Sequence, residues 1–192
     1  MAAVPRSRIV CYGLITVATL AVDLVTKQVV FRQLGGPFQS GGWLLDGPVK
    51  FELHTSLNRG ALWGMGQGGA PYFAALSIVA FLGINYWLFI NGAAKSRWLT
   101  VALGFVSGGT LGNLYDRLGW HGVVWPGEQK PSLAVRDFLH FQLGSFDWAI
   151  FNFADVFLVT GAIMLVLQSL LTPNVPPNVV TTTAAQKSAN VA

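Results

Sequence analysis

Charge is what this sequence has least of. Only 10% of its 192 residues are Asp, Glu, Lys or Arg, while 53% are hydrophobic, against roughly 25% charged in an average soluble domain. Such a chain carries more apolar surface than one soluble core of this length can cover, so lipid is the expected solvent for much of it. Cysteine is nearly missing: the lone Cys11 excludes an internal disulfide and falls inside an apolar run. No His-Glu-x-x-His pair or cysteine cluster occurs, and His54, His121 and His140 stand isolated along the chain, which argues against a zinc centre. There is no Gly-x-Ser-x-Gly elbow, and Ser107 sits mid-run without a placed base. A phosphate-binding Gly-x-x-x-x-Gly-Lys-Ser/Thr loop is also lacking. The formal net charge is +4, with 12 Lys and Arg dispersed rather than gathered into a stripe. That suits an anionic membrane surface and sets nucleic acid aside.

What is there in quantity is apolar runs of membrane-crossing length. Four are expected to span as helices, over about 9–30, 71–90, 98–115 and 150–171, each near the roughly 20 residues that cross the hydrocarbon layer. Helices are required, because unpaired backbone cannot face lipid and no alternating pattern suggests a barrel. Arg6 and Arg8 precede the first run, but no small-x-small cleavage site follows before Asp23 and Lys27, so it is expected to be a retained span rather than a cleaved leader. Arg6 and Arg8, with Lys95 and Arg97 in the short second connection, place both termini in the cytoplasm, with the long connections 31–70 and 117–149 facing outward. One domain over 1–172 is expected, followed by a disordered cytoplasmic tail over 173–192. Gly104, Gly108 and Gly112 recur at four-residue spacing in the third span; they either mark it as the central packing helix or reflect chance in a chain with 22 glycines.

Ionisable groups at the edge of a span cost on the order of 2.5 to 3.5 kcal/mol and need a reason. Here they fall at one level: Asp23 and Lys27 near the outer end of the first span, Asn113, Asp116 and Arg117 at that of the third, and Asn152 and Asp155 at the start of the fourth. Their spacings of three and four predict that each pair shares a helix face. Lys27 and Arg117 also admit a plainer role, as snorkelling anchors or structural ion pairs. Asp46, Glu52, Glu128 and Asp147 read as solvated loop charges. Asp137 differs, because it lies in the apolar stretch Ala-Val-Arg-Asp-Phe-Leu-His-Phe just before the fourth span. Two carboxylates in one shielded site hold a single proton between them, which is the state that amide hydrolysis needs. Asp137 and Asp155 are the candidate pair, with Asp116 as a rival.

Five blocks in order carry a family resemblance: Asp23-x-x-x-Lys27, Asn58-Arg59-Gly60-Ala61, Gly112-Asn113-Leu114-Tyr115-Asp116-Arg117, Val135-Arg136-Asp137-Phe138 and Phe151-Asn152-Phe153-Ala154-Asp155. Together they resemble the bacterial lipoprotein signal peptidases. The resemblance implies an all-α membrane protein of four transmembrane helices with a small extracytoplasmic β-cradle. It implies an aspartyl endopeptidase that cleaves diacylglyceryl-modified prolipoproteins before the lipidated cysteine, in the bacterial inner membrane, near the outer leaflet. Asp137 and Asp155 then correspond to the catalytic pair, and Asn58, Arg59, Gly60, Asn113, Arg117, Asn152 and Ala154 to the substrate site. Asp23, Lys27 and Asp116 would brace it. No metal or other cofactor is implied, the expected partners are prolipoprotein substrates and membrane lipids, and the expected state is a monomer.

Two departures stand out. About twenty residues separate Arg117 from Asp137, more than is usual in the family, and form either a lid or a longer surface loop. Arg136 stands where an apolar residue is commoner, and either lowers the pKa of Asp137 or points to lipid headgroups. A non-enzymatic membrane transporter or scaffold is the competing interpretation of the buried charges.

Overall fold

A computed structural model describes residues 4–60 and 68–171. Ala61 and the expected tail over 173–192 lie outside the described residues. The first helix, α1 (Arg6–Gln33), leads into strands β1 (Ser40–Leu45) and β2 (Val49–Asn58). Next comes α2 (Ala70–Asn85), which loosens into a π turn at Tyr86–Ile90 and a 3-10 turn at Ala93–Lys95. Then follow α3 (Arg97–Arg117), β3 (Val135–Leu143), β4 (Phe146–Asp147) and α4 (Phe153–Leu171).

Local chemistry sets the helix limits. Pro71 lies in the first turn of α2, where its missing N–H costs nothing. Ser96 caps α3 by accepting a hydrogen bond from the Leu99 N–H at 3.3 Å. The first helix runs past the expected 9–30 at both ends, from Arg6 to Gln33, with Lys27 buried in protein along it. The fourth begins at Phe153 rather than at 150, since Phe151 still pairs with Leu139 of β3 and Asn152 acts as the cap.

The helices are inside out relative to a soluble bundle. Val10, Leu14 and Val17 of α1, Leu76, Val79 and Leu82 of α2, and Val159, Ile163 and Val166 of α4 are exposed, whereas Asp23, Lys27, Asn113 and Asp116 are buried. Only a lipid solvent makes that arrangement favourable. Among the described residues three helices are long and apolar enough to cross a membrane: α1, α2 with its π turn, and α4. The third helix is less apolar because it faces protein. Its buried residues include Gly104, Ser107, Gly108, Gly109, Thr110 and Gly112. A methyl group added at Gly104 would come within 2.9 Å of Ile15, and one at Gly108 or Gly112 would collide with Thr19 or Asp23. The four-residue glycine stripe is therefore the seat of α1, and α3 is the central helix of the bundle. Tyr12 donates to Ser107 at 2.8 Å and accepts from Asn85 at 3.1 Å, joining three helices by one polar chain.

Both long connections build a single antiparallel sheet of order β1-β2-β3-β4. In its register Ser56 faces Asp137, Glu52 faces His140 and Val49 faces Leu143, with an irregularity between Leu53 and Ser56. The sheet is anchored to the end of α1 by a core of Val30, Phe31, Leu57, Ala134 and Phe138. It therefore holds Asn58 and Asp137 over the ends of the helices that carry Asn113 and Asp155.

Candidate active site

The start of α4 explains how Asp155 is placed. The Asn152 Oδ1 accepts the Asp155 N–H at 3.1 Å, while Asp155 Oδ2 accepts the Asn152 N–H at 3.2 Å. This reciprocal cap occupies the positions of a capping box, so the three-residue spacing reflects a helix start rather than the shared helix face expected from the sequence. The same asparagine reaches the second acid, donating from Nδ2 to Asp137 Oδ1 at 2.6 Å. Asn58 Nδ2 donates to Asp137 Oδ2 at 3.2 Å, and Asn113 Nδ2 donates to Asp155 Oδ1 at 2.9 Å. Asp137 and Asp155 thus share one asparagine, and their side-chain hydrogen-bond donors are the amides of Asn58, Asn113 and Asn152.

Their environments differ. Asp137 is 3% exposed, whereas Asp155 is half-buried. Burial pushes the Asp137 carboxyl up to about 8, and the neighbouring charge of Asp155 pushes in the same direction. Asp137 therefore favours its protonated form at neutral pH, with Asn152 bridging it to Asp155. Both acids line a cavity of about 250 Å³ together with Asn58, Gly60, Asn113, Arg117, Ile150 and Phe151. Asp155 and Phe151 also border an apolar hollow of about 430 Å³ walled by Phe141, Leu143, Trp148, Val156 and Val159. A polar site thus opens beside an apolar one, with Asp155 on the boundary.

A second layer holds the first. Lys27 Nζ sits 2.7 Å from Asp23 and 3.1 Å from Asp116, and donates to Asn113 Oδ1 at 3.0 Å. Asp23 also accepts the Ala154 N–H at 2.8 Å, tying α1 to the first turn of α4. Lys27 is fully buried, so it is no snorkelling anchor. Asp116 accepts from the Arg136 backbone N–H at 2.9 Å, and from Arg136 Nε at 3.1 Å and Nη2 at 2.9 Å. With every lone pair engaged by a cation or N–H, Asp116 is an ion-pair anchor and not half of a proton-sharing pair.

Arg136 corrects both sequence expectations. Only 1% exposed, it reaches neither lipid headgroups nor Asp137, whose carboxyl moves up rather than down. The reason is strand alternation, which turns neighbouring side chains of β3 to opposite faces. Two expected site residues also lie elsewhere. Arg59 stacks on Trp125 at 4.2 Å and pairs with Glu128 at 2.6 Å, so its side chain serves the insertion between α3 and β3 instead of the cavity. Ala154 is fully buried and packs near Gly109 of α3. The insertion folds around His121, which takes the Val123 N–H on Nδ1 at 2.8 Å and contacts the Ala134 carbonyl at 3.1 Å through Nε2. Burial holds His121 below the ordinary imidazole value, so it is a neutral structural residue. The aromatic and aliphatic wall of the larger hollow was missed by the sequence analysis. The aromatic spacing of Phe141, Trp148 and Phe151 was its only available signal.

Helices that expose apolar side chains and bury charge, capped by a sheet that sets two carboxyls on one cavity, define a membrane protein with an acid-pair site. Comparison with known proteins gives the family. The profile of the family described as Signal peptidase (SPase) II matches residues 15–171, and the chain belongs to that peptidase family. It is 43% identical over 171 residues to a lipoprotein signal peptidase of Rhodopirellula baltica, covering 88% of this chain and 75% of the relative. To a lipoprotein signal peptidase of Bacillus pumilus it is 33% identical over 162 residues, covering 83% of this chain and 92% of that one. A bacterial membrane enzyme solved by the in meso method at 2.3 Å superposes with a TM-score of 0.67 at 26% identity, over 83% of this chain and 87% of the other. Membership of a peptidase family favours the enzymatic interpretation over the transporter or scaffold one.

Proposed function

We propose that this chain is an aspartyl endopeptidase of the bacterial inner membrane that removes signal peptides from diacylglyceryl-modified prolipoproteins, cutting before the lipidated cysteine. The observation that carries this is the bridging of Asp137 and Asp155 by Asn152 on one cavity. All four long helices span the bilayer, with α3 shielded from lipid by the others, residues 1–172 form one domain, both termini are cytoplasmic, and the sheet lies at the outer leaflet. The protein acts as a monomer.

Water attacks the scissile carbonyl while ionised Asp155 takes a proton from it and protonated Asp137 hydrogen-bonds to the carbonyl oxygen, then protonates it. The tetrahedral intermediate collapses as Asp155 passes its proton to the departing cysteine amine and Asp137 recovers its own from the intermediate's hydroxyl. Gly60, Asn58 and Arg117 line the path of the extended peptide, and Asn113 orients Asp155. Arg117 interacts electrostatically with both acids, which keeps a cation beside the developing charge. The apolar hollow beside Asp155 receives the diacylglyceryl chains, so the lipid sets which residue is cut.

D137N and D155N test this. Each is expected to lower processing of a diacylated precursor, read by gel shift, by roughly 100-fold or more while leaving the protein folded. Wild-type turnover in either purified variant would remove the assignment.

A further inference from the structure

Two histidines that look isolated along the chain meet on the sheet. Glu52 and His54 stand two apart on β2, and His140 on β3 is the cross-strand neighbour of Glu52. His140 Nδ1 lies 2.7 Å and His54 Nδ1 3.2 Å from the same oxygen, Oε1 of Glu52. One ligand atom from each of the three residues lies within 4.8 Å of the other two. A tetrahedral zinc ion, with Zn–N and Zn–O bonds of about 2.0 to 2.2 Å, holds its ligand atoms roughly 3.4 Å apart. The distances of 2.7 and 3.2 Å to Glu52 Oε1 fall short of that spacing, so the three side chains would have to open slightly around the ion. We propose that Glu52, His54 and His140 bind a divalent transition-metal ion of the zinc type, through the Glu52 carboxylate and the Nδ1 atoms of both imidazoles.

The surroundings are those of a metal site. His140 Nε2 lies 2.6 Å from Asp147 Oδ1. A carboxylate that takes the far N–H would leave the Nδ1 lone pair for an ion, and such a carboxylate is the usual outer partner of a metal-bound histidine. The second oxygen of Glu52 accepts a hydrogen bond from Ser40, which leaves Oε1 for the ion. Imidazole and carboxylate together suit zinc, nickel or copper rather than magnesium or calcium. The His54 side chain is 32% exposed, so an ion can enter from water, while Trp43 lies 5.5 Å from the His140 ring and covers one flank. Without an ion, a proton bridges His140 Nδ1 and Glu52 Oε1 across 2.7 Å, and a bound metal ion would displace that proton.

The ion would not drive hydrolysis, because His140 lies three residues from Asp137 on β3 and points to the other face of the sheet. It would instead staple β2 to β3, with Ser40 of β1 and Asp147 of β4 attached through hydrogen bonds. The inference is independent of the peptidase proposal. It is tested by titrating Co²⁺ alone into the tag-free, chelator-stripped full chain in detergent, following visible absorption, and then displacing it with Zn²⁺. Saturable binding of one ion per chain is expected, weakened tenfold or more in H54A and in E52Q, and roughly 10-fold or more in D147N. Binding should be unaltered in D155N, and Zn²⁺ should raise the unfolding temperature of the parent but not of H54A. No saturable uptake by the parent, or uptake by H54A at parental affinity, would overturn the proposal. His54 is partly exposed, so its alanine variant reports on binding even if H140A fails to fold.

Discussion

Two carboxylate centres are joined in this molecule by one hydrogen-bonded chain, and they differ in what surrounds them. Asp116 is held by cations, with Lys27 at 3.1 Å and three N–H donors of Arg136. Asp137 and Asp155 are held by the amides of Asn58, Asn113 and Asn152. A cation fixes the charge of its carboxylate, whereas an amide donates a hydrogen bond and lets a proton come and go. The first setting suits holding helices together, the second suits proton transfer. Lys27 links the two, since it pairs with Asp116 and orients Asn113.

The contrast breaks most severely at Asp116. Its replacement in D116N leaves Lys27 and Arg136 buried without their full counter-charge, a loss of about 3 to 5 kcal/mol. The thermal unfolding midpoint in detergent should fall sharply, and an unchanged midpoint would deny Asp116 its structural role.

Asp137 should respond to pH instead. Its folded-state value, about 8, lies above the ordinary carboxylate value that applies in the unfolded chain. Its contribution to stability is therefore complete at low pH and is lost as pH rises toward about 8. D137N cannot ionise, so it should unfold at a higher temperature than the parent at pH 8, with the gap closing toward pH 4. Turnover should likewise fall as pH climbs through about 8, where the shared proton leaves. A kcat profile flat from pH 6 to 9 would place that proton elsewhere.

Asn152 sharpens the comparison at smaller scale, because it serves helix and acids together. N152A should cost about 0.5 to 2 kcal/mol through the lost cap and lower kcat more than it changes KM. A purely structural asparagine would show the stability loss alone. The smallest effect is expected at Arg59, whose guanidinium stacks on Trp125 beside a partly exposed ion pair. R59A should remove about 0.5 to 1 kcal/mol of stacking, leave kcat unchanged and shift KM slightly. A large loss of kcat would return Arg59 to the cavity.

Much of this was legible in sequence because lipid makes polarity informative. Asp23, Lys27, Asn113 and Asp155 stand out in apolar runs, and the structure brings all four into one hydrogen-bonded layer. The glycine stripe of α3 was equally legible, since only close backbone approach makes use of it. The sheet register was not, and with it went the partners of Arg136, the meeting of His54 and His140, and the detour of Arg59. Those depend on which residues face each other across strands drawn from distant connections, and no local spacing encodes that. The start of α4 was misplaced for a related reason: an apolar Ile-Phe pair looks like helix until β3 claims its backbone.

The sheet has one further consequence. Its first two strands precede α2 and its last two follow α3, so the ribosome must deliver two helices beyond β2 before β2 can find β3. Until then Asp137 has no seat, and Asp155, on α4, is not yet beside it. On a nascent copy the two acids are therefore apart, and they meet only when α4 is in place and the two halves of the sheet close.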